Sequence, residues 1–203
     1  MKNFNDFYES YLKSLNIIKE SEDDIQGYLI KFQDNFSFFL KDECDIYDDP
    51  ESSDATTYID DVKKAYTALF NKWKINYIGS GLDNQQTSDW FSFQVYVPKG
   101  SLKEFLTDLD YVAGGTNSDL LLMWTKDDIT SDDLDDFSTE EELYEALKNH
   151  DNTGVYYDDD STQCNGSIEK SAAIEITPNF DEFSKDLDDW FEEIVADAQE
   201  GNY

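Results

Sequence analysis

The apolar residues in the first third of the chain recur at the spacing of amphipathic helices. Between residues 4 and 18, and again between 25 and 40, they fall at i, i+3, i+4 and i+7, which places them on one helical face. The polar residues 19–24 separate the two stripes. The pattern therefore predicts an antiparallel helical hairpin, and a third stripe over residues 55–73 predicts another helix.

The middle of the chain changes to the two-residue period of a β-strand. Phe91, Phe93, Val95 and Val97 alternate with Ser, Gln and Tyr, and a proline ends the run. Alternation of this kind is typical of a strand with one face in the core and one face in solvent. A half-buried strand is therefore predicted here.

Five further segments are predicted to be strands or helices. Strands are expected at residues 120–124, 154–157 and 168–176, which are continuous or alternating apolar runs. A short helix is expected over residues 101–113, where Ser and Glu form a capping box and two glycines follow. A long helix is expected over residues 179–199, with Asn as its cap and Glu as its third helical residue.

Together these elements predict an α+β fold: N-terminal helices, then a small, mainly antiparallel sheet flanked by two or three helices. The chain of 203 residues fits a single domain, residues 1–203. That domain can be divided into a helical sub-region over residues 1–75 and an α+β sub-region over residues 76–203.

The charge of the chain restricts its partners. Aromatic residues make up 15% of the sequence, and because each buries a large area, the chain is expected to fold despite a net charge of −32. All fifteen basic residues are lysines. Direct binding of nucleic acid, which relies on Lys and Arg, is therefore not expected, and neither is binding to an anionic membrane. The expected partner is a basic protein.

The cellular location follows from segments that the sequence lacks. It contains no secretory signal core and no apolar run of the roughly 18 residues that a membrane span needs. A cytoplasmic location is therefore expected, in the host cell if a phage encodes the protein. In that reducing compartment, Cys44 and Cys164 are expected to be thiols rather than a disulfide.

The negative charge is concentrated in three blocks. Residues 41–61 hold nine acidic residues and one lysine (net −8), residues 126–160 hold fourteen and two (net −12), and residues 179–203 hold nine and one (net −8). Residues 62–125, by contrast, hold six acidic residues and six lysines. Salt adaptation is expected to spread acidic residues evenly, so the pattern favours a binding role.

The candidate partner-binding residues are the carboxylates of these blocks. They are Asp45, Asp48 and Asp49 in the first block; Asp127, Asp128, Asp132, Asp133, Asp135, Asp136, Glu140, Glu141, Glu142, Glu145, Asp158, Asp159 and Asp160 in the second; and Glu182, Asp186, Asp189, Glu193 and Asp197 in the third. Tyr47, Tyr156 and Tyr157, which lie among these acids, are candidate aromatic anchors.

The C-terminal helix carries the most regular of these arrays. Six carboxylates form what we call the carboxylate row: Glu182, Asp186, Asp189, Glu193, Asp197 and Glu200. At 1.5 Å per residue the row is about 27 Å long, and neighbouring acids could bring its density near that of a phosphate backbone. Like charges at i, i+4 oppose a helix. With one lysine in the block, the row is predicted to lack lysine partners and to serve binding rather than folding.

The second block is predicted to contain two different kinds of acid. Ser138 and Glu141 are predicted to form a capping box, so the glutamates after it begin a helix whose dipole favours them. Leu143 and Leu147 are expected to face inward from that helix. The six aspartates of residues 127–137 have no such structural role, so they are the first candidates for contact with a partner.

No catalytic, metal or cofactor site is predicted. His150 is the sole histidine, and it is interpreted as a residue at a helix end rather than a catalytic base. Residues 149–160 resemble a calcium-binding loop, but Asn replaces Asp at its first position and Asp replaces Glu at its twelfth. A polar turn is the simpler interpretation. Enzyme activity lost on substituting His150 or Asp151 would overturn this view.

Two functions are compatible with these observations, beside the simpler alternative of an acidic domain whose charge serves solubility. In charge, size and lack of catalytic motifs, the chain resembles anti-defence proteins of phages and mobile elements. That resemblance implies an inhibitor that mimics nucleic acid and blocks the basic groove of a restriction or CRISPR enzyme. The alternative is an immunity protein or antitoxin that neutralises a basic toxin such as a nuclease.

Overall fold

A computed structural model describes residues 25–36, 40, 44, 46, 53–80, 90–116, 133–148 and 167–200. Within these ranges the chain forms four strands, four α-helices and one turn of 3-10 helix. In chain order they are β1 (Gly27–Asn35), α1 (Ser53–Trp73), β2 (Asn76–Ser80), β3 (Trp90–Pro98), α2 (Leu102–Thr116), the 3-10 turn (Asp133–Asp136), α3 (Glu140–Lys148), β4 (Ser167–Ser171) and α4 (Phe180–Glu200). The predicted α+β class with an antiparallel sheet is confirmed.

The four strands form one antiparallel sheet in the order β2-β3-β1-β4. The central pair is the longest, because β1 pairs with β3 from Gly27 opposite Pro98 to Asn35 opposite Trp90. On its other side β1 pairs with β4 only over Gly27 to Lys31. Two short strands, β2 and β4, are therefore the edges of the sheet within the described residues.

All four helices pack against the same face of the sheet. Aromatic contacts link each helix to residues on that face: Tyr66 of α1 and Phe183 of α4 to Phe93, Phe105 of α2 to Phe32, and Tyr144 of α3 to Tyr28. The strand residues in between, such as Lys31, Gln94 and Glu169, are at least partly exposed. The molecule thus has the alternation of apolar and polar residues expected of a sheet with one covered face.

The prediction of a helix over residues 25–40 is wrong, because Gly27–Asn35 form the central strand β1. Tyr28, Ile30, Phe32 and Asp34 are buried, whereas none of the three residues between them is buried. The apolar residues 28, 29 and 32 satisfy the helical spacing as well, so periodicity alone cannot separate the two structures over so short a run. Hydrogen bonding to β3 and β4 selects the strand over the helix.

The other predicted elements are confirmed where the structure describes them, with two changes of boundary. The helices α1, α2 and α4 and the strand β3 form as expected. The two glycines do not end α2, which continues to Thr116. The strand predicted over 168–176 ends at Ser171, and the following residues up to Asn179 are neither helix nor strand. Residues 4–18, 120–124 and 154–157 lie outside the described residues.

No helix in the described ranges is long and apolar enough to cross a membrane.

Candidate interaction surface

The predicted partner-binding carboxylates divide first by whether the structure describes them. Nine lie outside the described residues: Asp45, Asp48, Asp49, Asp127, Asp128, Asp132, Asp158, Asp159 and Asp160. The candidate anchors Tyr47, Tyr156 and Tyr157, and the residues His150 and Asp151, also lie outside them. The remaining candidates fall into two groups near opposite edges of the sheet, because α3 packs beside the edge strand β4 and α4 packs over the edge strand β2.

Glu140, the first residue of α3, holds the start of α2 rather than facing a partner. Its Oε1 accepts hydrogen bonds from the Tyr28 hydroxyl at 2.8 Å and from the Gly100 amide at 2.9 Å. Its Oε2 accepts from the Leu102 amide at 3.2 Å. Amides at a helix N-terminus lack partners within the helix, so this carboxylate acts as a cap supplied from a distant part of the chain.

The capping box at the start of α3 is shifted by one residue from the predicted pair, Ser138 and Glu141. Thr139 Oγ1 accepts from the Glu142 amide at 3.2 Å. In return, Glu142 Oε2 accepts from the amides of Ser138 and Thr139 at 3.0 and 3.2 Å. The physical reason is that α3 begins at Glu140, which makes Thr139 the cap and Glu142 the third helical residue.

Three further carboxylates of this group form ion pairs within the protein. Glu141 pairs with Lys170 of β4 at 2.5 Å, Glu145 pairs with Lys148 at 3.4 Å, and Asp135 pairs with Lys103 of α2. Lys170 also lies 4.6 Å from the centre of the Tyr144 ring. The hydrogen bond from Lys103 lowers the pKa of Asp135, and the hydrogen bond to Glu141 raises the pKa of Lys170.

The two remaining aspartates of this group lie in the 3-10 turn beside these ion pairs. Asp133 begins the turn, and Asp136, which ends it, is exposed. Leu134 between them is fully buried. Asp136 is therefore an exposed acid of this group that forms no ion pair with another described residue, whereas most of the others serve the fold.

Neighbouring glutamates of α3 should differ in their contribution to stability. We expect Glu140→Gln to lower the free energy of unfolding by about 1–2 kcal/mol. The amide oxygen of glutamine is a weaker acceptor than a carboxylate, and its NH2 group would face the donors that Glu140 now accepts from. Glu141→Gln should cost about 0–1 kcal/mol, since an exposed ion pair contributes little. Urea unfolding of the two variants measures the difference, and equal losses would contradict the capping role of Glu140.

The first part of the carboxylate row, on α4, is tied to the edge strand β2. Asp186 Oδ2 accepts from the Tyr77 hydroxyl at 3.0 Å, and Glu182 Oε2 accepts from Asn179 Nδ2 at 2.8 Å. Burial is the main reason that the pKa of Tyr77 is raised, and its bond to Asp186 adds to the effect. These two carboxylates therefore help to position α4 on the sheet.

The prediction that the row lacks lysine partners is wrong for its middle. Lys185 pairs with Asp189 one helical turn away, which raises the pKa of Lys185. From the neighbouring helix α1, Lys63 pairs with Asp188, which lies beside the row. The second pair was not visible in the sequence, because Lys63 and Asp188 are separated by 125 positions.

The second half of the row, from Glu193 onwards, is exposed. Glu193 and Asp197 are exposed, and Glu192 lies exposed beside them. No ion pair joins Glu193 or Asp197 to another described residue. Trp190, one turn before them, is partly buried and meets the Phe91 ring edge-on at 5.5 Å between centroids. This end of α4 therefore combines exposed carboxylates with the edge of an aromatic side chain.

One buried carboxylate was missed by the sequence interpretation. Asp34 of β1 is fully buried and accepts a hydrogen bond from the Tyr66 hydroxyl at 2.5 Å. Burial, together with the negative charge of Asp34, raises the pKa of Tyr58. A strand assignment for residues 27–35 would have placed Asp34 on the same face as Ile30 and thus in the core. Its hydrogen bonding suggests a structural role.

The described residues contain no group of three or more His, Cys, Asp or Glu side chains arranged to hold a metal ion. Comparisons with protein-family profiles, with curated proteins and with solved structures gave no match. The position and charge of the protein's own side chains are therefore the observations that bear on its function.

Proposed function

We propose that this protein is a non-catalytic inhibitor that mimics nucleic acid and blocks the basic groove of a nucleic-acid enzyme or complex, of the restriction or CRISPR type. The observation that carries the proposal is the second half of the carboxylate row, where Glu193 and Asp197 stand exposed on a long helix. The site of action is the cytoplasm, in the host cell if a phage carries the gene. The basic groove would be the partner surface; the protein itself binds no nucleic acid.

The way α4 is held supports such a role. Phe183 and Leu187 are fully buried on its inner side, so the helix is fixed to the sheet over its first half. A charged surface that is already ordered loses little conformational entropy on binding. Carboxylates on a regular helix also recur about every 5–6 Å along one side, which suits a groove lined by Lys and Arg. Attraction between such surfaces accelerates encounter and weakens with salt.

The alternative is an immunity protein or antitoxin that covers one basic toxin, and one observation favours it. Trp190 is partly buried next to the exposed end of the row, and interfaces between proteins often centre on such an aromatic residue. A compact patch around Trp190 would suit one small partner, whereas contact along the whole row would suit a nucleic-acid groove.

Charge reversal at the accessible end of the row tests the proposal. The tagged protein and its Glu193→Lys/Asp197→Lys variant are used to capture partners from a lysate of the source cells at 50 and 500 mM NaCl, with identification by mass spectrometry. We expect the wild-type protein to retain a nucleic-acid-binding protein at low salt. The double variant should bind the purified partner at least tenfold more weakly, because two attractions become repulsions.

A matched control separates the row from total charge. Asp60→Lys/Asp61→Lys makes the same change of charge at exposed positions of α1, and it should retain most of the binding. Displacement of the captured protein by a DNA duplex supports mimicry, whereas capture of a single small toxin supports the immunity alternative. If no basic protein is retained at low salt, both functions are contradicted.

A further inference from the structure

The side chain of Asn179 bonds to the edge strand β2 in the way that a neighbouring strand would. The Tyr77 amide donates to Asn179 Oδ1 at 2.6 Å, and Asn179 Nδ2 donates to the Tyr77 carbonyl at 2.9 Å. Two directly opposed residues of an antiparallel pair exchange the same two hydrogen bonds. The primary amide of Asn179 thus takes the position of a peptide group from an additional strand.

Asn179 occupies this position at the expense of capping its own helix. It directly precedes α4, and its carbonyl accepts from the Glu182 amide at 3.1 Å. An asparagine here usually turns its side chain to a free amide of the first helical turn. Instead, Glu182 Oε2 accepts from Nδ2 of Asn179 at 2.8 Å and holds the side chain against β2.

We propose that Asn179 closes the β2 edge against pairing with β2 of a second copy of this chain. An edge strand presents backbone donors and acceptors to which other strands can add. Without the amide, the outward N–H and C=O of Tyr77 can bond to the same groups of Tyr77 in a second copy, related by a two-fold axis. Such a pair joins the four described strands of each copy into one sheet across two molecules. The assembly is closed, because each copy uses the same edge.

The composition of β2 explains why the occupant is a second copy. The strand Asn76–Ser80 contains no charged residue, and Ile78 beside Tyr77 is 53% exposed. The opposite edge strand, β4, carries Glu169 and Lys170, and charged residues on an edge discourage pairing. The protein has a net charge of −32, but β2 itself is neutral. Two copies can therefore meet along β2 without repulsion between like charges on the strands themselves.

The carboxylate row gives this pairing a characteristic salt dependence. Because α4 packs on β2, two paired copies bring their rows towards each other, and the rows repel. Salt screens that repulsion. Self-association through β2 should therefore increase with salt, whereas binding of a basic partner should decrease with salt. The two effects can be distinguished in the same protein, and the inference does not depend on the proposed function.

Sedimentation velocity of Asn179→Ala at 50 and 500 mM NaCl tests the inference. We expect the mass of the variant to double relative to the wild-type protein at 500 mM, with a smaller dimer fraction at 50 mM. Adding Ile78→Glu, at an exposed position, should restore the wild-type mass by placing like charges near the two-fold axis. Asp181→Asn, at the exposed second residue of α4, is the control that should not change the mass.

A second variant covers a loss of folding in Asn179→Ala, which circular dichroism would reveal. Asn179→Asp keeps an acceptor for the Tyr77 amide but removes the donor to the Tyr77 carbonyl. This variant should therefore form dimers more weakly than Asn179→Ala, and its dimer fraction should likewise increase with salt. A folded Asn179→Ala with the wild-type mass at both salt concentrations would overturn the inference. So would assemblies larger than dimers, or a dimer that Ile78→Glu leaves intact.

Discussion

Replacing Phe183 with alanine is expected to lower the free energy of unfolding by about 3–5 kcal/mol, the cost of removing a large ring from a packed core. Phe183 is fully buried on the inner face of α4. Its ring lies 5.0 Å from Tyr66, 5.3 Å from Phe93 and 5.5 Å from Tyr77, measured between centroids. The residue therefore joins α4 to α1, β3 and β2 at once, and few side chains around it can move to fill the space.

Phe191 provides the matched control for this prediction. It lies on the same helix and is the same residue type, but it is only partly buried. Phe191→Ala should therefore cost clearly less than Phe183→Ala in urea unfolding monitored by circular dichroism. Equal losses for the two variants would contradict the placement of Phe183 at the centre of the core.

Gly27→Ala is expected to cost about 3 kcal/mol, at the upper end of the usual range for overpacking. Gly27 begins β1, and a Cβ atom there would lie 2.3 Å from the Val97 carbonyl oxygen of β3. It would also lie 2.7 Å from the Tyr96 hydroxyl. The tyrosine can move, but the carbonyl belongs to the backbone of the longest pair in the sheet, so the strands themselves must shift.

Two further variants identify the cause of that loss. In Gly100→Ala the new Cβ meets nothing within 4 Å, but the residue has φ +91°, so its cost of about 1–2 kcal/mol is backbone strain alone. Tyr96→Ala combined with Gly27→Ala removes the clash with the ring and leaves the clash with the carbonyl. Thermal unfolding of all three variants should give a lower midpoint temperature for Gly27→Ala than for Gly100→Ala. If the Tyr96 change fully compensates for Gly27→Ala, the backbone clash is not the cause.

Some acidic residues of this protein serve the fold, whereas others are available for the proposed binding, and stability measurements can separate the two groups. Glu140 caps α2, the Glu142 carboxylate belongs to the capping box of α3, and Glu182 and Asp186 help to fasten α4 to β2. Charge reversal at these positions would disturb folding as well as binding. Glu193 and Asp197, by contrast, are exposed. They are therefore the positions at which a change in affinity can be interpreted without a change in stability.

Local sequence patterns were sufficient for the elements whose apolar spacing is long and regular. The helix predicted near the C-terminus forms as α4, and Phe183, Leu187 and Ile194 are buried on one side of it. The opposite side of that helix had to be polar, so the carboxylate row follows from the sequence alone. The same holds for β3, whose alternating residues are buried as expected. In each case the information lies within one element, where side-chain direction follows from backbone geometry.

The identity of β1 and the roles of individual carboxylates were decided only by the tertiary structure. Residues 25–36 fit both periods, and distant strands select one of them. Glu140 caps a helix that begins 38 positions earlier, and the Asn179 side chain bonds to a strand residue 102 positions earlier. A hydrogen-bond partner so distant in sequence is brought close by chain topology, which local periodicity does not encode. The sequence by itself therefore determined the charge of this protein and the helical face that displays much of it, whereas the tertiary structure decided which charges are used by the fold.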